Sequence, residues 1–117
     1  MNASITLYHN PRCSKSRAAL ALLRERGIEP TIVEYLKTPP DEAALHGLLK
    51  KLGLDACDVI RKGEAPYREL GLGRGSITEV ELIAAIAAHP ILLERPIAVV
   101  GKRAVVGRPP ERVLELL

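Results

Sequence analysis

The groups that could do chemistry are concentrated near the start of the chain, in the segment His-Asn-Pro-Arg-Cys-Ser-Lys-Ser-Arg at positions 9–17. Cys13 lies where a predicted strand ends and a predicted helix begins. The free N–H groups at a helix start favour negative charge, so a thiol there ionises more easily. Arg12, Lys15 and Arg17 add positive charge around it. The segment predicts a nucleophilic cysteine with a lowered pKa.

The absence of acidic residues from this segment strengthens that interpretation. The first acidic residue of the chain is Glu25, although helix first turns usually attract carboxylates. A helix start with only cations is suited to an anion, either a thiolate or an oxyanion substrate. The alternative is a solvated basic helix end with an incidental cysteine.

The second position of a redox pair is occupied by serine. In Cys13-Ser-Lys-Ser16 the residue that would be a resolving cysteine is Ser16, which cannot form a disulfide. Electrons for any redox step must therefore come from another thiol, which could in principle be Cys57. Cys57 lies in a segment that predicts a short packed helix, so we expect it to be a small buried apolar residue.

Two cysteines and three histidines lack a recognisable ligand spacing, and we expect no metal site.

The elements that position Cys13 follow from local patterns. Alternation predicts a strand at 4–9, the apolar stripe a helix at 13–26 and the β-rich run a strand at 31–35, which together make a parallel βαβ unit with a right-handed crossover. The middle of the chain is predicted to be helical. A helix enters at 38–42 and ends at Gly53, short helical turns follow at 55–61 and 65–70, and another helix runs from the Thr78/Glu81 capping box to His89. The last predicted elements are strands at 97–100 and 103–106, joined by a Gly101-Lys102 turn, and a helix at 111–117.

This order of elements favours an α/β protein with a thioredoxin-like fold. A βαβ unit and a ββα unit would share a mixed four-stranded sheet, with a helical insertion at about 38–90. We expect residues 1–117 to form a single domain, because a chain of 117 residues is too short for two ordinary ones. This assignment rests on analogy of element order.

Composition excludes several classes of protein. Hydrophobic residues make up 47% of the chain, which excludes overall disorder. The net charge is only +3 and the aromatic residues are three tyrosines, so a base-stacking nucleic-acid surface is not expected. No apolar run is long enough to span a membrane, and the N-terminal segment is too polar for a signal peptide. We expect a cytoplasmic monomer with both cysteines as thiols.

Short motifs along the whole chain then indicate a family. In order they are Tyr8-His9-Asn10-Pro11 with Cys13 and Ser16-Arg17, Glu29-Pro30, Tyr35-Leu36, Leu52-Gly53, Arg61-Lys62, Tyr67-Arg68-Glu69-Leu70-Gly71-Leu72, His89-Pro90-Ile91-Leu92, Arg95-Pro96-Ile97 and Gly107-Arg108-Pro109. With this order and spacing the chain resembles the ArsC-type arsenate reductases that depend on glutathione and glutaredoxin.

The resemblance implies roles for individual residues. Cys13 matches the family's nucleophile, and His9 matches the histidine that helps to lower its pKa. Three arginines match those that hold the oxyanion, and Pro96 matches the cis-proline beside the active cysteine. The oxyanion arginines are Arg61, Arg95 and Arg108, and the supporting residues are Asn10, Arg12, Ser16, Arg17 and Pro96.

The resemblance also implies a reaction, in which arsenate is reduced to arsenite through a Cys13 thiol–arsenate adduct. No cofactor would be bound. Glutathione would be the cosubstrate and glutaredoxin the protein partner. Arginine suits the substrate, because its planar fork of donors matches tetrahedral oxyanions.

Two other functions remain open from the sequence. Spx-like transcriptional regulators, which bind RNA polymerase, share the fold and much of the pattern. They typically contain a Cys-X-X-Cys switch, which Ser16 removes here. The other alternative is a monothiol oxidoreductase linked to glutathione, with the basic segment binding the carboxylates of that peptide.

Overall fold

The first βαβ unit forms as the local patterns predict. In the computed structural model, which describes residues 4–117, β1 is Thr6–Tyr8, α1 is Ser14–Glu25 and β2 is Thr31–Val33. The helix ends where Gly27 adopts a left-handed conformation with φ of 75°, which glycine reaches without steric cost. The second strand is shorter than predicted. The residues after Val33 form a turn rather than more strand, because the N–H groups of Lys37 and Thr38 both donate to the Glu34 carbonyl.

The later elements follow in the predicted order. They are α2 Glu42–Leu52, α3 Ala56–Val59, α4 Ala65–Glu69, α5 Glu79–Ala88, a 3-10 helix at Pro90–Leu92, β3 Ile97–Val100, β4 Arg103–Val106 and a 3-10 helix at Pro110–Leu116. The last of these corresponds to the helix predicted at 111–117.

The four strands form one mixed sheet in the order β2-β1-β3-β4. β1 pairs parallel with β2 and antiparallel with β3, and β3 pairs antiparallel with β4. Gly101, at φ of 58°, makes the turn between β3 and β4. The predicted α/β class, the parallel first unit and the final hairpin are confirmed. The carboxyl ends of β1 and β2 lie side by side, so the loops after them are neighbours.

The chain separates into two compact units. One contains the chain up to Thr38 and again from Arg95 to Leu117, and therefore holds the whole sheet. Its core lies between the sheet, α1 and the C-terminal 3-10 helix. The buried members of that core are Ile5, Leu7, Ala19, Leu20, Leu23, Ala98, Val113 and Leu116.

The other unit, Pro39–Glu94, is entirely helical in its regular structure apart from an isolated bridge between Ile60 and Leu93. Asp41 caps α2 by accepting the N–H of Ala44 at 2.8 Å, and the predicted Thr78/Glu81 capping box begins α5. Helix α5 packs against α2 and α3. Within residues 4–117 no helix is both long and apolar enough to cross a membrane.

The prediction that Cys57 is buried is wrong. Cys57 is exposed, with its Sγ 4.0 Å from Oδ1 of Asp58. Helix α3 is one turn long and buries Ala56 and Val59. Residues three apart share a helix face, whereas the residue after Ala56 is turned away from it. The segment is packed as predicted, but its cysteine is on the solvent side.

Candidate active site

Cys13 occupies the position that the sequence indicated, at the junction of the β1–α1 loop and helix α1. It is the N-cap residue of α1, with an extended backbone, and its carbonyl accepts the N–H of Arg17 at 3.0 Å. The preceding turn is organised by Asn10, whose carbonyl accepts the N–H of Cys13 and whose Oδ1 accepts the N–H of Arg12. These bonds hold the thiol at the helix start.

The surroundings of Cys13 favour its thiolate. Partial burial by itself raises the pKa of the thiol, but the N–H of Ser16, the Arg95 guanidinium and the N–H of Lys15 lower it, and the net shift is downward. No acidic side chain lies in the first turn of α1 to oppose this. The expected lowering of the pKa therefore has two physical sources, the helix start and one arginine.

His9 and Ser16 form a buried pair beneath the loop. His9 is 5% exposed and Ser16 is fully buried. The Nδ1 atom of His9 lies 2.6 Å from the Ser16 hydroxyl oxygen, which also accepts the N–H of Asn10 at 3.1 Å. In the sequence, Ser16 was notable because it occupies the position of a resolving cysteine. In the structure, its hydroxyl connects the end of β1 to the first turn of α1.

The charge state of His9 bears on its expected role. Burial lowers the pKa of His9, and Arg24 and Arg17 lower it further, whereas Glu34 raises it. The net shift is downward, so the neutral imidazole is favoured. None of the groups that shift the pKa of Cys13 is His9. The contact that the structure shows for His9 is with the Ser16 hydroxyl, and its expected effect on the pKa of Cys13 stays a prediction.

Arg95 and Arg108 are held together by the backbone. Arg108 donates from its guanidinium to the carbonyl of Arg95 at 3.0 Å, and both side chains are half-buried. The Arg95-Pro96 bond is cis, as the resemblance implied, and the Arg108-Pro109 bond is cis as well. Gly107 N–H donates to the carbonyl of Pro96 at 2.8 Å. Cys13, Arg95 and Arg108 therefore belong to one arrangement.

Arg61 lies in the other compact unit and is held there by two carboxylates. Its Nε is 3.1 Å from Oε2 of Glu64, and a terminal nitrogen is 2.9 Å from Oε1 of Glu94. The Arg61 N–H also donates to the carbonyl of Leu92 at 2.7 Å. Glu64 lies only three residues after Arg61, whereas nothing in the sequence indicated the pairing with Glu94, which is distant along the chain.

The other basic residues of the loop are on its surface. Arg12 and Arg17 are exposed, and Arg17 donates to the carbonyl of Pro11 at 3.0 Å. Over the described part of the chain, no group of three or more histidine, cysteine or acidic side chains could hold a metal ion.

Two cavities adjoin the loop. One, of about 270 Å³, is lined by His9, Asn10, Pro11, Arg12, Glu34, Leu36 and Lys37. The other is more open to solvent, has a volume of about 590 Å³, and is lined by His9, Pro11, Arg17, Leu20, Ala21, Arg24 and Glu25. Both lie in the unit that contains the sheet, and the first is bounded by the loops after β1 and β2.

Comparisons with known proteins find a family model, curated relatives and solved structures similar to this chain. A sequence model of the ArsC family matches residues 8–116. The chain is 50% identical to an arsenate reductase of Neisseria meningitidis serogroup B, over 97% of each chain. Among solved structures it is similar to an arsenate reductase from Vibrio cholerae (47% identity, TM-score 0.97, 100% of both chains). It is also similar to a putative arsenate reductase from Yersinia pestis (49% identity, TM-score 0.91, 96% of this chain and 99% of that one).

Proposed function

This chain belongs to the ArsC family, and we propose that it is an arsenate reductase that uses the Cys13 thiolate as its nucleophile. The observation that supports this most directly is the Cys13 thiol at the start of α1 beside Arg95, with its pKa lowered. Relatives named arsenate reductase, at about half identity over nearly the full chain, support the same substrate.

The first step forms a bond between sulfur and arsenic. The Cys13 thiolate attacks the arsenic of arsenate and displaces hydroxide, which leaves as water after taking up a proton. Arsenic stays in the +5 state in this thiol–arsenate adduct. Arg95 and Arg108 hold the oxygens and stabilise their charge as the bond forms. Arg61 is proposed as the third arginine of the set.

The reduction then needs two electrons from thiols outside the chain. Glutathione attacks the arsenic and displaces a second hydroxide, which leaves as water after taking up a proton, so that a second sulfur–arsenic bond replaces an arsenic–oxygen bond and arsenic stays in the +5 state. A glutaredoxin thiolate next attacks the glutathione sulfur, giving a mixed disulfide, and the electron pair of the broken bond stays on arsenic, which becomes As(III). Water releases arsenite and the Cys13 thiol. Ser16 fits this scheme because the chain has no second thiol at that position.

The setting of the reaction follows from its cosubstrates. Reduced glutathione and glutaredoxin are thiol reagents, so the reaction suits a reducing cytoplasmic compartment. We propose that the protein needs no bound cofactor, because every electron is supplied by the thiols. We also propose that it acts there as a monomer.

The test is a coupled assay containing arsenate, glutathione, glutaredoxin, glutathione reductase and NADPH. We expect arsenate-dependent NADPH oxidation that is abolished in Cys13→Ser and retained in Cys57→Ser, the matched control. Circular dichroism would show that Cys13→Ser is folded. Turnover retained in Cys13→Ser, or none in the folded wild type, would refute the proposal. In the latter case reduction of a glutathione mixed disulfide or capture of RNA polymerase would indicate which alternative function applies.

A further inference from the structure

The segment that begins at Tyr67 in helix α4 and continues through the turn after it has no part in the proposed reaction, yet it forms the wall of a cavity. The cavity has a volume of about 380 Å³, is open to solvent and is lined by Tyr67, Arg68, Gly71, Gly73 and Arg74. All five residues belong to the helical unit, Pro39–Glu94. The volume lies within the usual range of small-molecule pockets, about 300–1,000 Å³.

Hydrogen bonds at the end of α4 fix the backbone of this cavity. The N–H of Leu72 donates to the carbonyl of Tyr67 at 3.0 Å, and the N–H of Gly71 donates to the carbonyl of Arg68 at 3.1 Å, which is the Schellman pattern. Gly71 has the left-handed conformation that this pattern requires, with φ of 64°. The chain turns again where the N–H of Arg74 donates to the carbonyl of Gly71 at 3.3 Å. These bonds also direct carbonyls at the helix end onto N–H groups, which reduces the negative potential there.

Two glycines leave space for the polar side chains of the wall. A Cβ on Gly71 would lie 3.5 Å from a terminal nitrogen of Arg74, so the guanidinium group packs over the glycine backbone. A Cβ on Gly73 would lie 3.3 Å from the Tyr67 hydroxyl oxygen. The Arg74 guanidinium and the Tyr67 hydroxyl therefore lie over backbone that has no side chain, and both residues line the cavity.

The cavity wall contains two positive groups and no negative one. Arg68 and Arg74 are exposed, and within residues 4–117 neither side chain makes a hydrogen bond or ion pair. The Glu81 carboxyl, whose pKa is lowered by Thr78 and to a smaller extent by Arg74, bonds to Thr78 and does not line the cavity. Two guanidinium groups with no carboxylate beside them favour an anion, and their planar forks of donors match phosphate oxygens.

We propose that this cavity is a binding site for a small ligand that carries a phosphate monoester. Arg68 and Arg74 bind the phosphate oxygens, and the Tyr67 hydroxyl donates a hydrogen bond to one of them. A phosphate monoester is largely a dianion near neutral pH and has three acceptor oxygens, which suits two guanidinium groups and one hydroxyl. The site is independent of the arsenate reductase function, because none of its residues takes part in the proposed reaction.

Direct binding can be measured with phenyl phosphate. Phenyl sulfate is the matched ligand, since it has a similar shape and one negative charge. In NMR titrations of ¹⁵N-labelled protein, we expect phenyl phosphate to shift the amides of residues 67–75 and to bind there several-fold more tightly than phenyl sulfate. No binding, or shifts confined to residues 9–17, 95–96 and 107–109, would overturn the proposal. Equal affinity for the two ligands at 67–75 would overturn the choice of a dianion.

Two pairs of variants separate this site from a general effect of charge. Arg74→Gln should weaken binding of phenyl phosphate several-fold, whereas Lys51→Gln, which removes an exposed charge in the last turn of α2, should not. Gly73→Ala adds a methyl group against the Tyr67 hydroxyl and should also weaken binding. Gly75→Ala should not, because no atom lies within 4 Å of its added Cβ. Wild-type affinity in both Arg74→Gln and Gly73→Ala would overturn the proposal.

Kinetics supply an independent readout. In the coupled assay, Arg74→Gln should leave the KM for arsenate unchanged. A raised KM for arsenate with unchanged binding of phenyl phosphate would assign Arg74 to arsenate and overturn the proposal. The two proposals fail differently: a wild type that binds phenyl phosphate at 67–75 but does not reduce arsenate would disprove the arsenate reductase function and leave this site standing.

Discussion

The Nδ1 atom of His9 lies 2.6 Å from the hydroxyl oxygen of Ser16, and both side chains are buried. This contact joins the residue after β1 to the first turn of α1. Because burial favours the neutral imidazole, Nδ1 can accept the Ser16 proton while the Ser16 oxygen accepts the N–H of Asn10. The pair supports the loop that presents Cys13.

Removal of the Ser16 hydroxyl should destabilise the protein. In Ser16→Ala, the part-buried N–H of Asn10 and the buried ring of His9 lose a shared partner, which costs about 1–3 kcal/mol. Urea denaturation would measure the free energy of unfolding. Ser14→Ala, at an exposed serine of the same helix turn, is the control and should change stability by less than about 0.5 kcal/mol. Equal effects of the two substitutions would contradict a supporting role for the buried pair.

The lowered pKa of His9 predicts a pH dependence of stability. In the unfolded chain His9 takes up a proton near its ordinary value of 6.5, whereas in the folded protein it does so at lower pH. The stabilising contribution is therefore complete above pH 6.5 and is lost as the pH falls toward the folded-state value. An NMR titration of the His9 ring should give a midpoint below 6.5. In Glu34→Gln the midpoint should be lower still, because Glu34 raises this pKa; an upward shift would contradict the assignment.

Arg95 should control the reactivity of Cys13. In a Cys57→Ser background only Cys13 reacts with iodoacetamide, and the pH midpoint of alkylation reports its pKa. Arg95→Ala should shift that midpoint upward and slow alkylation at neutral pH several-fold, because a positive group that lowers the pKa is lost. Arg26→Ala, at the opposite end of α1, is the control. An unchanged midpoint in Arg95→Ala would show that the helix start alone lowers the pKa.

Two glycines should respond oppositely to alanine. A Cβ on Gly107 would lie 2.9 Å from Cγ of Pro96 and 2.9 Å from Cγ1 of Val113, so Gly107→Ala should cost about 1–3 kcal/mol through overpacking. Gly47, inside α2, has no atom within 4 Å of such a Cβ. Gly47→Ala should therefore stabilise the protein by about 0.5–1 kcal/mol. Thermal unfolding of both variants would measure these changes in stability. A stabilised Gly107→Ala would show that the neighbouring side chains move to accommodate the added methyl group.

Arg61 can be tested for a role beyond its ion pairs. If it is the third oxyanion ligand, Arg61→Gln should raise the KM for arsenate and leave the KM for glutathione unchanged. Loss of stability is also expected, because Glu64 and Glu94 would lose their cation. Glu64→Gln removes one ion pair but keeps the guanidinium, and should not raise the arsenate KM. A destabilised Arg61→Gln with an unchanged arsenate KM would make Arg61 a structural residue only.

Local patterns were sufficient for most of the elements and for the position of Cys13. The residues from His9 to Arg17 place a thiol at a strand-to-helix junction with cations and no carboxylates, and the structure has Cys13 there as the N-cap of α1. The Thr78/Glu81 box and the Gly101 turn were likewise predictable. Each depends on interactions between residues a few positions apart, whose geometry the sequence order largely dictates.

Burial and partners depended on contacts that local order does not specify. Whether Cys57 or its neighbours face the core was decided by how α3 is rotated against the elements that it packs on. Arg61 pairs with Glu94 because an antiparallel bridge between Ile60 and Leu93 brings two distant segments together.

The sequence by itself determined that Cys13 would be a helix-start thiol among cations, since a helix start is a local feature of the backbone. Only the tertiary structure decided that Arg95 is the cation that lowers its pKa and that the His9 ring lies against the Ser16 hydroxyl. The reason is the short range of these interactions: a hydrogen bond or close ion pair requires separations of about 3 Å. Only the folded chain sets such distances between residues far apart in sequence.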